Sequence, residues 1–438
     1  MTSAAHGLTP KMKPVSPRRS FDVCALDIGT SKIACVIARL RPCAAREVLR
    51  RRTHAIEVRG IGHTLARGIK SGTVVNLGEA ERAVRQAVDA AERMAGLHVE
   101  SVVLSVSAGR MASERFAATV PVHGAMASDR DIERVLAAGS QHSVRNGRVV
   151  LHSLPIGYAL DESRGIRDPR GMLGRRLGVD MHVVTVEAAA VRNLMLAVER
   201  CHLAVEAMVA APYMAGLAGL ADDEADLGAA VVDLGAGTTT IAVFAGGRFV
   251  HADGFALGGA HVTMDLARGL PATIADAERI KTLHGHAIVG SSDDRDMIPV
   301  SAVGEDEPPH LLSRAKVVGI IKPRVEEILE MVRDRLGASP FASEPGGRVV
   351  LTGGGSQLTG LPELASRILG RPVRVGRPLG ISGLPEAANG PAFAAAAGLL
   401  IYPQLANLEQ FEARRLRPAM TGTDGYFARV GRWLRESF

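Results

Sequence analysis

The sequence predicts an α/β fold built from two lobes of common design. Short β-rich runs alternate with longer segments of helical periodicity, which is typical of sheets covered by helices. Two segments share one plan, in which an Asp-x-Gly turn with small polar residues separates two apolar runs. They are CALDIGTSKIACVIARL at 24–40 and AAVVDLGAGTTTIAVFAG at 229–246. Both patterns predict β-hairpins whose turns depend on glycine, and their recurrence indicates two related lobes.

Length and composition indicate a globular chain able to bury a sizeable core. The 438 residues are 47% hydrophobic and 22% charged, enough for two large lobes with insertions. Basic residues outnumber acidic ones by 52 to 46 but are spread along the chain, and only 3% of residues are aromatic. This composition argues against a nucleic-acid partner and is compatible with an acidic lipid surface.

Cysteine usage and the N-terminus predict a cytosolic protein. Cys24, Cys35, Cys43 and Cys201 lack the spacing of metal ligands and are expected to be reduced thiols. The chain has no apolar run long enough for a signal peptide or for a membrane-spanning helix of roughly 20 residues. Residues 1–20 are predicted to form a flexible arm.

The two hairpin turns have the chemistry of phosphate-binding loops. Glycine lets backbone N–H groups approach an anion, while hydroxyls and an ammonium add donors. Asp27 and Asp233 would hold the waters of a magnesium ion. Either turn alone is more typical of a plain tight hairpin, but together they favour a triphosphate held between the lobes. The candidate donors are Gly29, Thr30, Ser31, Lys32, Gly235, Gly237, Thr238 and Thr239.

Two further segments predict a nucleoside site. VVLTGGGSQLTGLPELASRIL at 349–369 indicates a buried strand, a glycine loop and a helix that begins near Pro362. Its three consecutive glycines leave a flat backbone surface for a purine. TIADAERIKTLHG at 273–285 predicts a helix with a capping box of Thr273 and Asp276. Glu278 and Lys281 share one face of that helix, where they either grip ribose and base or form a surface ion pair.

These motifs resemble those of a known superfamily. LDIGTSK, VVDLGAGTT and VLTGGGSQLTGL, in this order, are similar to the two phosphate loops and the adenosine loop of the actin, heat-shock chaperone and sugar kinase superfamily. Within it the chain most resembles the FtsA family of bacterial division proteins. That resemblance covers nearly the whole chain and includes RGIKSGTVVNL at 67–77, DAERIK, IIKPR and the ending WLRESF.

The resemblance implies a two-lobed actin-like ATPase fold that binds ATP and Mg²⁺, with slow hydrolysis at most and no dedicated catalytic residue. Ala236 stands where relatives often carry glycine, a methyl-sized change that should slightly crowd the phosphates. The implied adenosine-binding residues are Gly258, Gly259, Glu278, Lys281, Gly353, Gly354, Gly355 and Gln357.

It also implies a domain order. An inserted subdomain at 99–179 interrupts the first lobe, and its sequence predicts a compact strand-helix-strand unit with a helix from about Ser128. Contact between protomers and with later division proteins is its implied role, and a stabilising cap is the alternative. The remaining predicted ranges are the first-lobe core at 21–98 and 180–225, the second-lobe core at 226–281 and 347–403, the second-lobe subdomain at 282–346, a linker at 404–424 and a terminal helix at 425–438.

The last fourteen residues, GYFARVGRWLRESF, predict an amphipathic helix that lies on a membrane. They are too short to cross a bilayer, and the polar stretch before them is typical of a tether. Docking on the protein's own core or in a partner groove is the alternative. The apolar sector holds Tyr426, Phe427, Val430, Trp433, Leu434 and Phe438, and the opposite side holds Arg429, Arg432 and Arg435.

Such an anchor is weak and calls for many linked copies. Burial of its apolar side chains contributes about 8–12 kcal/mol before the cost of ordering the segment, so one copy binds anionic lipid reversibly. We therefore expect a protein that polymerises on the cytoplasmic face of the membrane at midcell. The resemblance implies that FtsZ is a partner. The C-terminal tail of FtsZ would dock on residues 282–341 of this chain. Arg324 is the candidate contact, with a solvated helix face as the alternative.

Two other functions share this fold. A pilus-assembly relative is the nearer alternative, and a small-molecule kinase is the enzyme alternative. Neither explains the basic amphipathic ending.

Overall fold

The computed structural model describes residues 9–43, 49, 52–108, 110–141, 145–301, 310–344 and 346–409. These residues divide into two compact units. The larger unit comprises the described residues up to Arg115, those from 145 to Ile156, and His182–Glu409. The smaller unit comprises Phe116 to residue 141 and Gly157–Met181.

Strands and helices alternate along the described chain, as the sequence predicts. The strands are β1 Phe21–Ile28, β2 Lys32–Pro42, β3 His54–Leu65, β4 Ile69–Lys70, β5 Thr73–Val74, β6 Ser101–Val106, β7 Ala112–Pro121, β8 Arg148–Leu160, β9 Ser163–Ile166, β10 Arg176–Glu187, β11 Ala204–Ala210, β12 Ala229–Leu234, β13 Thr239–Ala245, β14 Arg248–Phe255, β15 Met297–Val300, β16 His310–Ser313, β17 Arg348–Thr352, β18 Val373–Val375 and β19 Ile381–Ser382. The α-helices are α1 Leu77–Ala95, α2 Asp129–Gly139, α3 Ala188–Glu199, α4 Ala211–Gly219, α5 Asp222–Leu227, α6 Gly259–Gly269, α7 Ile274–His284, α8 Arg314–Gly337, α9 Leu361–Leu369 and α10 Ala394–Ile401. None of the helices in this described part is long and apolar enough to cross a bilayer.

Two sheets of the larger unit repeat one topology. In the first, the strand order is β11-β6-β1-β2-β3-β19, with β2 antiparallel to both β1 and β3 and with β6 parallel to β1. In the second, the order β18-β17-β12-β13-β14 has the same directions. The antiparallel pairs β1–β2 and β12–β13 are the two predicted hairpins, which confirms that two related lobes build this unit.

Helices α4 and α10 pack together with almost no exposed surface. Both consist largely of small residues. A Cβ added to Gly398 would lie 2.0 Å from the carbonyl oxygen of Met214, so the backbones approach more closely than any side chain at this position permits. The small residues of α10 thus allow this helix to lie unusually close to α4.

The smaller unit confirms the predicted strand-helix-strand pattern. Its residues belong to α2 and to the sheet β7-β10-β8-β9. Helix α2 begins with a capping box, in which Ser128 accepts from the N–H of Asp131 and the Asp131 carboxylate accepts from the N–H of Ser128. By contrast Ser101–Val106, at the start of the predicted insert, forms β6 of the six-stranded sheet.

At both ends of the described chain, the structure differs from the predicted flexible arm and linker. The predicted arm is attached from Thr9 onward, because the Thr9 hydroxyl donates to the Val150 carbonyl at 3.1 Å. The predicted linker also begins too early. Gln404 Oε1 accepts from the backbone N–H groups of Thr53 and His54, and the Glu409 carboxylate contacts His152 Nδ1 at 2.9 Å. Both polar side chains are therefore bonded to the lobe, and the Glu409 partner, His152, is buried.

Helix α7 confirms half of its predicted capping box. The Thr273 hydroxyl accepts from the N–H of Asp276 at 3.1 Å. The other half is wrong: the Asp276 carboxylate does not accept from the backbone N–H of Thr273. It accepts instead from the N–H of Ser301 at 2.8 Å and from Arg279 Nε at 2.7 Å, and these bonds tie the helix to the segment after β15.

The α4–α10 contact yields a stability prediction. We expect Gly398→Ala to lower the free energy of unfolding by about 1–3 kcal/mol, because the new methyl group forces the two helices apart. Gly319→Ala in α8 is the control, since nothing lies within 4 Å of its added Cβ. It should raise the unfolding free energy by about 0.5–1 kcal/mol. Urea unfolding curves measure both, and a neutral Gly398→Ala would contradict the packing described here.

Candidate nucleotide site

A cavity of about 560 Å³ opens in the larger unit. Its walls come from the turn after β1, the turn after β12, the loop after β17, and helices α7 and α8. Most of the predicted site residues line it, so tertiary structure brings together residues from widely separated segments. These are Asp27, Gly29, Thr30, Ser31, Lys32, Asp233, Gly235, Thr238, Gly259, Glu278, Lys281, Gly353, Gly354, Gly355 and Gln357.

The two hairpin turns close in the same way. In the first, the N–H of Gly29 donates to the carbonyl of Lys32 at 3.0 Å, and in the second the N–H of Gly235 donates to the carbonyl of Thr238 at 2.9 Å. Each bond closes a short turn that presents hydroxyl groups to the cavity. The predicted similarity of the turns therefore extends to their backbone geometry.

The turns also meet each other. A Cβ added to Gly237 would lie 2.6 Å from the hydroxyl oxygen of Thr30, so the second turn packs against the first without room for a side chain. Gly237 thus lies behind the cavity wall. Thr239 does too, because its buried hydroxyl donates to the Leu257 carbonyl at 2.9 Å and supports the turn.

Gly353 makes the loop after β17 possible. Its φ of +81° is in the left-handed region, and an added Cβ would lie 2.5 Å from the Leu234 carbonyl oxygen and 2.6 Å from Asp233 Oδ1. Glycine is therefore required both by conformation and by space. Gly354 has nothing within 4 Å of its added Cβ, which leaves its backbone face open to a planar ligand.

Residues of α6 and α7 form another part of the wall. Lys281 Nζ donates to Glu278 Oε2 at 2.6 Å, to Thr263 Oγ1 at 2.9 Å and to the Gly259 carbonyl at 3.2 Å. Glu278 and Lys281 thus form the predicted ion pair, and the pair lines the cavity. Gly258 is the N-cap of α6 and does not line the cavity. A Cβ added to Gly258 would lie 2.4 Å from the Gly235 carbonyl oxygen, so this residue packs against the second turn.

Two half-buried carboxylates, Asp27 and Asp233, line the hairpin-turn side of the cavity together with the Lys32 ammonium. Asp27 accepts from the Ser105 hydroxyl at 2.5 Å, and Asp233 accepts from the Thr352 hydroxyl at 3.2 Å. Burial raises the pKa of Asp27. Burial and the neighbouring Asp27 charge raise the pKa of Asp233 to about 7, although Thr352 and Lys32 oppose this. Burial also lowers the pKa of Lys32 to about 8, against the attraction of both carboxylates.

This electrostatic arrangement fits a hard divalent cation. Mg²⁺ takes oxygen ligands and keeps several waters, and a cation would restore the charge balance that burial opposes at Asp27 and Asp233. Among the residues that the structure describes, no group of three or more His, Cys, Asp or Glu side chains converges. Waters and ligand phosphates would therefore have to complete the coordination.

Several lining residues are missing from the sequence predictions. Ser107 follows β6, and a polar residue at the end of a parallel strand is a signal that the sequence offered. The apolar wall had no such signal, because helix periodicity does not tell which buried positions face a ligand. It consists of Val262, Val325, Ile328, Leu329, Leu358 and Leu361.

The predicted partner contact, Arg324, does not line the cavity. Arg324 on α8 is half-buried, and its Nε donates to Asp265 Oδ2 at 2.6 Å while Nη1 contacts Glu327. Its role with an acidic tail stays a prediction. The predicted membrane-binding residues lie outside the described residues: Tyr426, Phe427, Arg429, Val430, Arg432, Trp433, Leu434, Arg435 and Phe438.

Comparison with known proteins decides the family. A model described as "Cell division protein FtsA" matches residues 230–398, and one described as "SHS2 domain inserted in FTSA" matches residues 108–185. The chain is 54% identical to the cell division protein FtsA of Agrobacterium fabrum over 99% of both chains. It is 32% identical to FtsA of Escherichia coli K12 over 95% of this chain and 98% of that one. The chain belongs to the FtsA family.

Solved structures support the fold of this FtsA-family protein. A chain of the PilM-PilN type IV pilus biogenesis complex superposes with a TM-score of 0.60 at 18% identity, covering 87% of this chain and 98% of that one. MreB5 of Spiroplasma citri bound to ADP gives a TM-score of 0.52 at 13% identity, covering 88% and 97%. These likenesses confirm the predicted two-lobed, actin-like fold.

Family membership makes this protein a cell-division protein. The match to division proteins extends over nearly the full length at high identity, whereas the pilus protein shares the fold at 18% identity. The pilus-assembly alternative is therefore not favoured. The match at residues 108–185 assigns an SHS2 domain to the insertion that the sequence predicts.

The raised pKa of Asp233 makes the stability of the ligand-free protein depend on pH. In the folded protein this pKa is about 7, against the ordinary 3.8, so the folded state keeps a proton that the unfolded state releases. The stability that this proton contributes should be complete below about pH 4 and lost as the pH rises through about 7. Urea unfolding across that range should show a smaller pH-dependent loss for Asp233→Asn than for the unsubstituted chain.

Asp334→Asn is the control for that measurement. Its carboxylate is 70% exposed, pairs with Arg333 Nη2 at 3.1 Å and does not line the cavity. It should keep the pH dependence of the unsubstituted chain. Identical pH slopes for the unsubstituted chain and Asp233→Asn would contradict a raised pKa for Asp233.

Proposed function

We propose that this FtsA-family protein binds ATP with Mg²⁺ in the cavity and assembles into filaments on the cytoplasmic face of the membrane, where it holds the FtsZ ring at midcell. One observation carries the nucleotide part of this proposal. Two turns with the same backbone closure, from two sheets of the same topology, meet at a cavity whose other walls are the glycine loop and the Glu278–Lys281 pair.

The lining residues divide by chemistry along the cavity. Hydroxyls of Thr30, Ser31 and Thr238 and the ammonium of Lys32 are donors suited to phosphate oxygens. Asp27 and Asp233 would hold a water-coordinated Mg²⁺ beside them, which supplies positive charge to the phosphates. The glycine loop at Gly353–Gly355 and the Glu278–Lys281 pair on α7 would bind adenosine. The structural neighbour MreB5 was solved with ADP bound, which supports a nucleotide as the ligand here.

The acidic residues of the cavity favour binding over group transfer. A kinase needs a carboxylate beside an acceptor pocket to receive a proton. Among the described lining residues the acids are Asp27, Asp233 and Glu278. The first two face the proposed cation, and Glu278 is bonded to Lys281 and Thr263. The nucleotide therefore acts as a clamp between the lobes, with slow hydrolysis at most.

Assembly follows from the fold and from the weakness of the membrane anchor. Each arginine of the terminal segment contributes about 1 kcal/mol near anionic lipid, so a single copy exchanges readily. Linked copies raise the overall attachment by about 10²–10⁴ through effective concentration. We assign contact with neighbouring copies and with later division proteins to the inserted domain.

The FtsZ tail is proposed to dock on the second-lobe subdomain between residues 282 and 341. There Arg324 is held by Asp265 and Glu327, so its guanidinium is already oriented at a partly exposed surface. An acidic peptide would compete with Glu327, the more exposed of the two carboxylates, whose side chain is 49% exposed.

The nucleotide proposal predicts a loss of ATP binding on removal of one charge. Asp233→Asn should weaken MgATP binding at least about tenfold at about pH 8, because a ligand to the hydrated cation is lost. The loss should shrink when EDTA removes Mg²⁺. Equilibrium titration with a fluorescent ATP analogue measures both, and Asp334→Asn should bind as the unsubstituted chain does. Unchanged affinity for Asp233→Asn would remove the second turn from the site.

The membrane proposal predicts that the terminal fourteen residues carry lipid binding. The full chain should co-sediment with vesicles that contain anionic phosphatidylglycerol, more so with MgATP, and should retain added FtsZ there. A chain that ends at Asp424 should do neither. Trp433→Glu should behave like the truncation because it places charge in the apolar sector, whereas Ala428→Glu, which helical periodicity places on the arginine side, should bind. Equal sedimentation of the truncated chain would overturn the anchor.

A further inference from the structure

The RGIKSGTVVNL motif contains a tight turn that the proposed function leaves without a role. Strands β4 and β5 form a two-residue hairpin in which Lys70 pairs with Thr73. Its central residues, Ser71 and Gly72, have φ values of +46° and +70°. Positive φ at both positions is typical of a type I′ turn, and for serine this conformation carries strain.

Gly72 packs the turn against the first lobe. Its N–H donates to the Thr30 hydroxyl oxygen at 3.0 Å. A Cβ added to Gly72 would lie 2.9 Å from both the Ser107 hydroxyl oxygen and the Ala108 Cβ, so no side chain fits there. Because the Gly72 N–H occupies a lone pair of the Thr30 oxygen, the hydroxyl hydrogen is directed away from the turn.

The second lobe meets the same turn. A Cβ added to Gly237 would lie 2.6 Å from the Thr30 hydroxyl oxygen and 3.0 Å from the Ser71 Cα. Thr30 is therefore enclosed by its own lobe, by the Ser71–Gly72 turn and by the second hairpin turn. Both Thr30 and Ser107 line the cavity, so this junction lies directly beside the proposed phosphate position.

We propose that Ser71 and Gly72 are positioning residues that fix the Thr30 hydroxyl and the approach of Gly237, so that the site distinguishes nucleoside triphosphate from diphosphate. This inference rests on the proposed nucleotide function. With the nucleoside at the glycine loop and α7, the phosphate farthest from the base is the one that reaches the meeting point of the two turns. A displaced turn would thus weaken contacts with the third phosphate more than contacts with the first two.

The test compares MgATP and MgADP affinities of full-length variants. Gly72→Ala should weaken MgATP binding about tenfold or more, the effect of losing one or two hydrogen bonds to a charged phosphate, and should weaken MgADP binding less than about threefold. Thr30→Val should give the same split, and Thr30→Ser, which keeps the hydroxyl, should restore binding. In the Thr30→Val background, Gly72→Ala should add little, because both changes remove the same contact.

Two controls separate positioning from folding. Gly96→Ala places a methyl group at the same kind of backbone position, φ +68°, with nothing within 4 Å, so it tests strain alone and should keep the preference for MgATP. If Gly72→Ala does not fold, Ser71→Val replaces it, because a β-branched residue resists φ of +46° without a clash at position 72. Ser71→Asn tolerates positive φ and should match the unsubstituted chain.

The outcomes are distinct. Equal weakening of MgATP and MgADP by Gly72→Ala, or additive effects with Thr30→Val, would overturn the positioning role while leaving the nucleotide site intact. Failure of the unsubstituted chain to bind either nucleotide would instead overturn the proposed function on which this inference rests.

Discussion

The contact between the two hairpin turns is the constraint on which the rest of the site depends. Gly237 approaches Thr30 so closely that no side chain fits between them, and the two residues belong to different sheets. The cavity therefore exists only while both sheets hold their turns together. The buried small-residue helices α4 and α10 serve the same end, because close backbone approach between them is compatible with packed lobes on either side.

Electrostatics make this site costly when it holds no ligand. Asp27 and Asp233 are half-buried with Lys32 as a shared counter-charge, and partial burial shifts the pKa of each group in the direction that favours its neutral form. A ligand that brings a divalent cation would relieve this cost, so binding and lobe arrangement are linked in free energy. Under the proposed function, such linkage suits a nucleotide that controls assembly rather than one that is consumed in rapid turnover.

The two ends of the described chain converge on one strand. Lys11, near the start, donates to the Leu151 carbonyl, and Glu409, at the end, pairs with His152 on β8. The His152 and Glu409 side chains are 0% and 2% exposed, and Lys11 Nζ lies 3.8 Å from the Glu409 carboxylate. The described part of the larger unit therefore ends, at Glu409, in a buried and paired side chain.

Local sequence patterns determined much of this protein: both hairpins, the glycine loop, the Glu278–Lys281 pair and half of the lining residues follow from period-2 alternation, Asp-x-Gly turns and helix spacing. These features depend on residues close together in the chain. Tertiary structure alone decided that Thr239 and Gly237 lie behind the cavity wall, that α8 supplies an apolar face, and that Thr9 and Glu409 are docked rather than free. Each of these depends on which distant backbone group or side chain occupies the neighbouring space, and that information is absent from any single segment.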